Sequence, residues 1–190
     1  MDCGLKASFW LQTTNIKNMA LIKSVKGISP EWGDNCFIAD NATITGDVII
    51  GDDCSIWFNA VVRGDVHSIR IGDNVNIQDG VIIHCTYQKA GVEIGNNVSI
   101  AHAAIIHGCT IHDNVLIGMG AIIMDGAIIE SNSVVAAGAL ISKDTVVESG
   151  SVYAGVPAKL IKNVDTDLLE GEIHRISNNY NMYASWYDED

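Results

Sequence analysis

In the run SIAHAAIIHGCTIHDNVLIG, residues 99–118, His102 and His107 stand five apart among alanines and isoleucines, and His112 follows five further on. Imidazole titrates near neutrality and is the commonest protein ligand for transition metals, so the spacing raises a question of chemistry. Five aligns side chains neither on a helix, where three or four would, nor on a strand, where an even number would. The backbone that makes five useful has to be something else.

Written in sixes from Ile38, the chain reads IADNAT, ITGDVI, IGDDCS, IWFNAV, and later IGDNVN, IQDGVI, IGNNVS, IAHAAI, IGMGAI, IMDGAI, IESNSV, VAAGAL, ISKDTV, VESGSV. The first place is aliphatic, the second is often Gly or small, and the fifth is Ala, Val, Ser, Thr or Cys. One large side chain per six fills a narrow interior at about 1.5–3 kcal/mol each. Gly, Asn and Asp accept the dihedrals of the corners. Each rung bonds to the rungs above and below, so the stack is stable where a single rung is not. A sandwich would show period two, so the repeat predicts a parallel β-helix.

The period breaks in three places. Val62 to Ile71 spans nine residues, Ile83 to Ile94 eleven and Ile106 to Ile111 only five, and all three breaks surround the histidines. The I-G-x-x-V-x pattern resembles the hexapeptide repeat of β-helix proteins, which implies three hexads per coil and a trimer; counted so, Val62, Ile83 and Ile106 fall on one wall, and Arg63, His84 and His107 stack at the corner that follows, about 4.8 Å apart. His102 is third in its own hexad, above Asp79 of IQDGVI, at a different corner. Within one chain the two sets face apart. In a threefold trimer, His84 and His107 of one subunit can meet His102 of the next around a metal ion. A lone histidine in an apolar repeat is ordinarily a hydrogen-bonded corner residue; three in register beside every period break point to metal ligation.

The rest of the chain bounds the function. It has 190 residues, consistent with one domain, and a net charge of −12 that argues against nucleic acid or an anionic membrane as partner. Five cysteines without a CxxC pair read as reduced thiols in a cytoplasmic protein. No apolar run reaches 18 residues. Residues 1–18 differ in composition from MALIKSVKG, which begins at Met19, and are expected to be a loose extension or a mis-assigned start. The β-helix domain is then 19–164. In the remainder, 165–190, Leu169, Ile173, Ile176, Tyr180, Tyr183 and Tyr187 form an apolar stripe. Asp165 to Asp167 supply N-cap candidates for a helix over 166–187 lying on the prism.

The same resemblance, to the hexapeptide repeat of left-handed β-helix proteins, implies the left hand. VVRGDVHSIRIGDNVNIQDGVIIH followed by AHAAIIHGC is similar, more specifically, to the gamma-class carbonic anhydrases over about residues 28–164. That resemblance implies that His84, His102 and His107 bind zinc, with ferrous iron or cobalt as alternatives, between the subunits of a homotrimer. The activity implied is reversible hydration of CO2 to bicarbonate, because three neutral imidazoles leave a position for water whose pKa falls to about 7. It further implies that Arg63 and Asp65 pair across the subunit interface with Asp79 in the same network, and that Gln78 and Asn76 hold the reacting water and substrate. Tyr180 or its neighbour Tyr183 matches a terminal-helix tyrosine that reaches the site.

The chain departs from the best-studied type at two glutamates that assist proton transfer. Val66 follows Asp65 directly, and the second loop reads CTYQKAG, with Glu93 only at its end. His67 is the candidate shuttle in their place. Two other readings stand beside the enzyme: a hexapeptide-repeat acyltransferase or acyl-CoA thioesterase, and a homologue of low carbonic anhydrase activity. The first needs basic phosphate contacts, which are not evident with 11 Lys and Arg in total.

Overall fold

The computed structural model describes residues 20–187. The expected extension, 1–18, lies outside the described residues, as do the last three residues of the chain. From Leu21 to Gly155 the chain winds as a left-handed parallel β-helix of about seven turns, followed by one C-terminal helix. The hexad sets its cross-section: two-residue strands such as Ser55–Ile56, Asn76–Ile77 and Ser99–Ile100 stack in register, separated by turns with residues at positive φ.

Three walls result. On the first, Ile38, Ile56, Ile77, Ile100, Ile117 and Val135 lie one above another. The second stacks Ile44, Val62, Ile83, Ile106, Ile123 and Ile141. The third stacks Ile50, Ile71, Ile94, Ile111, Ile129 and Val147. All of these but Ile38 are buried, and together they form one continuous aliphatic core. Between the second and third walls the lower coils do not turn sharply. Thr43–Ile50 and Val61–Ile71 run on as long strands, with an irregularity between Gly46 and Val48 that absorbs the first insertion.

The outward faces differ. The first wall is covered by the C-terminal helix. Asp165 caps that helix, its carboxylate accepting the Leu168 N–H at 2.8 Å. The helix is not uniform: Leu169–His174 form a wide π turn containing Gly171, and an α-helix resumes over Arg175–Ser185. Glycine is a poor helix former, and the wider turn seats Ile173, fully buried, against Val134 and Val152. The second wall instead presents Val61, Ile82, Ile105, Ile122 and Leu140 outward, all at least partly exposed. The top of the prism is closed by an antiparallel hairpin, Ser151–Gly155 with Ala158–Asn163, which the repeat did not foretell. Among the described residues no helix is long and apolar enough to cross a membrane.

Candidate metal centre

The corner after the second wall holds the predicted column. Arg63 pairs with His84 and His84 with His107 in the strand register, one per coil. The imidazoles of His84 and His107 stand with Nδ1 of the first 3.2 Å from Nε2 of the second. Each ring's other nitrogen meets a carboxylate: His84 Nε2 lies 3.1 Å from Asp65 Oδ1, and His107 Nδ1 lies 2.8 Å from Asp125 Oδ1. An ionised carboxylate only accepts, so it takes the N–H and leaves the opposite nitrogen with a bare lone pair. Two lone pairs then face each other, an arrangement that calls for a cation or a proton between them. Two nitrogens about 2.0–2.1 Å from one tetrahedral zinc stand about 3.3 Å apart, so the donor pair fits such an ion.

His102 sits at the corner before the second wall. Its Nδ1 lies 2.9 Å from Asp79 Oδ2, in the coil below, as the hexad count requires. It too keeps Nε2 unengaged by its carboxylate. Each of the three imidazoles thus has one aspartate oxygen within 3.1 Å of a ring nitrogen, hydrogen-bonded at His84 and His107, a pairing common around metal-ligating histidines. His102 and His107 lie at opposite edges of one wall, and among the described residues no three His, Cys, Asp or Glu side chains of the chain converge in a way that could hold a metal ion.

Electrostatics favour neutral imidazole at His84. Burial pushes its pKa down, with Arg63 and His107 adding to this and Asp65 opposing it. Partial burial would raise Asp65, yet the Arg63 guanidinium and His84 hold its carboxyl below the usual range. Arg63 Nη1 donates to Asp65 Oδ2 at 2.6 Å within one chain. Residues two apart on the strand Val61–Ile71 share a face, which brings the two side chains together.

Asn76 and Gln78 form a buried amide pair on the first wall. Asn76 is 1% exposed; its amide donates to Ser99 Oγ at 2.8 Å and its Oδ1 accepts from Gln78 Nε2 at 2.9 Å. Lying between core strands beneath the helix, it reaches the site only through Gln78. Gln78 Oε1 accepts the His102 N–H at 3.3 Å. Gln78 and His102 border a cavity of about 390 Å³ between the prism and the helix, lined also by Leu116, Met119, Tyr180 and Tyr183. Both tyrosines of the sequence-level alternative therefore line it. Tyr180 packs edge-on against Trp57, and burial, with Asp79 and Tyr183 nearby, pushes its hydroxyl up to about 12.

His67 lies on the outer side of the histidine corner and is exposed, its Nδ1 accepting the Ser68 N–H at 2.9 Å. Together with Glu93 it borders a second cavity, of about 300 Å³, whose wall includes Gly108 beside His107. Cys85 and Cys109 flank the ligands in sequence but are buried in the core. His112 is 3.9 Å from Glu130 at the surface, and His174 pairs with Glu170 on the helix. Sequence reasoning missed Asp125. The signal was available: it stands eighteen residues, one coil, beyond His107.

The chain is similar to proteins named as carbonic anhydrases and to proteins named as hexapeptide-repeat transferases. Residues 33–64 and 108–143 match the family model described as bacterial transferase hexapeptide (six repeats). The chain is 38% identical to a carbonic anhydrase of Geobacillus kaustophilus over 167 residues, covering 88% of this chain and 91% of that one. It is 40% identical to gamma carbonic anhydrase 1, mitochondrial, of Arabidopsis thaliana, covering 97% of this chain and 67% of that protein. Among solved structures, a hexapeptide transferase family protein from Anaplasma phagocytophilum superposes with a TM-score of 0.84 at 38% identity, covering 88% of this chain and 98% of that one.

Proposed function

Because this chain belongs to the gamma-class carbonic anhydrase family of hexapeptide-repeat proteins, we propose that it forms a homotrimer and hydrates CO2 reversibly to bicarbonate at a divalent ion held between subunits. The ligands are His84 and His107 of one subunit and His102 of the partner subunit. Zinc is the ion expected, with ferrous iron or cobalt as alternatives.

One observation carries this reading. The second wall is an outward aliphatic stripe of Val61, Ile82, Ile105, Ile122 and Leu140, with His102 at one edge and His84 and His107 at the other. Exposed Met119 and Met124 extend the apolar surface beside it. An exposed stripe of this kind calls for cover. Closing three such walls around a threefold axis parallel to the prism buries the stripe and brings each edge to the opposite edge of a neighbour. Since His102 and His107 belong to the same coil, the two edges meet at one height.

His84, His107 and His102 of the partner subunit would hold the ion, and the chemistry it would supply is Lewis acidity, which brings the pKa of water toward neutrality. The chain's own residues do the rest. Asp65, kept ionised by Arg63, holds the His84 ring through its Nε2–H; Asp79 lies against the Nδ1 edge of His102 and leaves its Nε2 free. Asn76 locks the amide of Gln78, which orients the substrate oxygens next to His102. Leu116, Met119 and Ala137 give the cavity an apolar lining suited to CO2. Tyr180, whose hydroxyl keeps its proton throughout the neutral range, holds bicarbonate as a hydrogen-bond donor and does not act as a base. His67, exposed and sharing a cavity with Glu93, carries protons away.

Metal content of anaerobically purified protein, mass by light scattering and stopped-flow CO2 hydration test the proposal together. We expect a trimer with one ion per chain, and hydration that a chelator abolishes and the ion restores. A monomer that keeps its full ion content overturns the shared site. A loaded trimer inert toward CO2 but binding an acyl-CoA overturns the reaction.

A further inference from the structure

Asp125 belongs to the hexad IMDGAI, one coil above His107. The ordinary use of an acid or amide at a corner of this prism is visible elsewhere. Asp52, Asp73, Asn96 and Asp113 each accept a main-chain N–H from the coil below, at 2.7, 2.9, 2.8 and 2.7 Å. Asp125 does something else. Its Oδ1 takes two side-chain bonds, from His107 Nδ1 at 2.8 Å and from Thr86 Oγ1 at 3.0 Å.

Two of the three period breaks serve this arrangement. Thr86 comes from the insertion between Ile83 and Ile94. Gly108 comes from the shortened corner between Ile106 and Ile111, has a φ of +54°, and leaves open the space in which a Cβ would collide with Asp125 Oδ1. A larger residue after His107 would displace the carboxylate from the ring.

We propose that Asp125, seated by Thr86, is the positioning residue of His107: it holds the proton on Nδ1 and aims Nε2 at His84. The consequence for metal affinity rests on the metal site proposed above, whereas the fixed tautomer does not. A charged acceptor behind the ring also makes Nε2 a stronger donor to a metal.

Nitrogen-15 spectra of histidine-labelled, metal-free protein report which ring nitrogen carries the proton, and titration with zinc alone against a chromophoric chelator reports affinity. In the wild type His107 is expected to carry its proton on Nδ1. Asp125→Ala is expected to lose that preference and bind zinc about 10–100-fold more weakly. Asp125→Asn, whose amide oxygen still accepts, is expected to keep the tautomer and recover most of the affinity, and Thr86→Val to show a smaller loss. A purely structural aspartate would lower the melting temperature while leaving tautomer and affinity unmoved. Zinc binding by Asp125→Ala equal to wild type, or a wild-type His107 protonated on Nε2 and not on Nδ1, overturns the proposal. If the wild-type trimer takes up no zinc, the metal site falls, and the tautomer still decides the role of Asp125.

Discussion

His84 Nδ1 and His107 Nε2 face each other across one rung at 3.2 Å, while His102, five residues from His107, occupies the far edge of the same wall. A site split in this way can be completed by two defective chains. His107→Ala alone and His102→Ala alone are each expected to fold as trimers without bound metal. When the two are refolded together, every mixed trimer has one interface where an intact His84–His107 corner meets an intact His102. Metal analysis of mixed trimers separated by a charge tag should find one ion per trimer and none in either parent. Recovery of no metal on mixing would remove the shared site.

The outward stripe on the second wall makes a related prediction. Ile122 is 38% exposed in the single chain and lies midway between the two histidine edges. A carboxylate left unpaired in a closed interface costs about 3–5 kcal/mol. Ile122→Glu is therefore expected to weaken association more than about a hundredfold while leaving the circular dichroism of the β-helix unchanged. Light scattering should show single chains, and metal should be lost with the trimer. A trimer of wild-type stability would mean that another face is the interface.

Much of this arrangement was legible in the sequence because a solenoid converts residue number into position. Counting sixes assigned Val62, Ile83 and Ile106 to one wall, and the strand register bears this out. The same count stacked Asp79 beneath His102, where Asp79 Oδ2 lies 2.9 Å from the ring Nδ1. Legibility ended where contacts depend on side-chain reach. The depth of Asn76 follows from the helix lying over the first wall, and no local pattern encodes that. The role of Asp125 depends on a corner shortened by one residue and on a threonine from an inserted loop, so neither hexad reveals it alone. The closing hairpin breaks the repeat, and the π turn follows from a packing demand at Ile173 that an apolar stripe does not specify.

Away from the metal centre, the register of Phe37–Ile38 on Ser55–Ile56 stacks Cys36 on Cys54. Interaction with the neighbouring Cys54 thiol favours the Cys36 thiolate and, against the effect of burial, lowers its pKa from 9.0 to about 7, while Cys54 is pushed up in turn. Burial raises Cys85 to about 11 and Cys109 to about 12. The thiolate is the nucleophile, so alkylation of Cys36 should be slow below pH 7, rise through a midpoint of about 7, and level off above it. Peptide mapping after iodoacetamide pulses across pH reads this directly, with Cys85 and Cys109 unlabelled. Cys54→Ala, which removes the donor, should move the midpoint upward, and Cys54→Ser should largely preserve it. A midpoint near 9 in the wild type would dissolve the pairing.

Ala103, the residue after His102, holds a φ of +59° in a corner column with Asn59, Gly80, Gly120 and Gly138, also at positive φ. An alanine in the left-handed region costs about 1–2 kcal/mol, because its Cβ crowds the backbone. Glycine removes that cost but gives the unfolded chain about 0.5–1 kcal/mol more entropy to lose. Ala103→Gly is therefore expected to stabilise the metal-free protein by a net of about 0.5–1 kcal/mol. The same freedom loosens the corner that carries His102, and ordering it again on binding should weaken zinc about two- to threefold. Denaturant unfolding in the presence of a chelator, paired with a zinc titration, measures both effects. Should the variant lose stability, the corner at Ala103 is not strained. Should it gain stability with unchanged affinity, the strain is present but does not serve to hold the ligand.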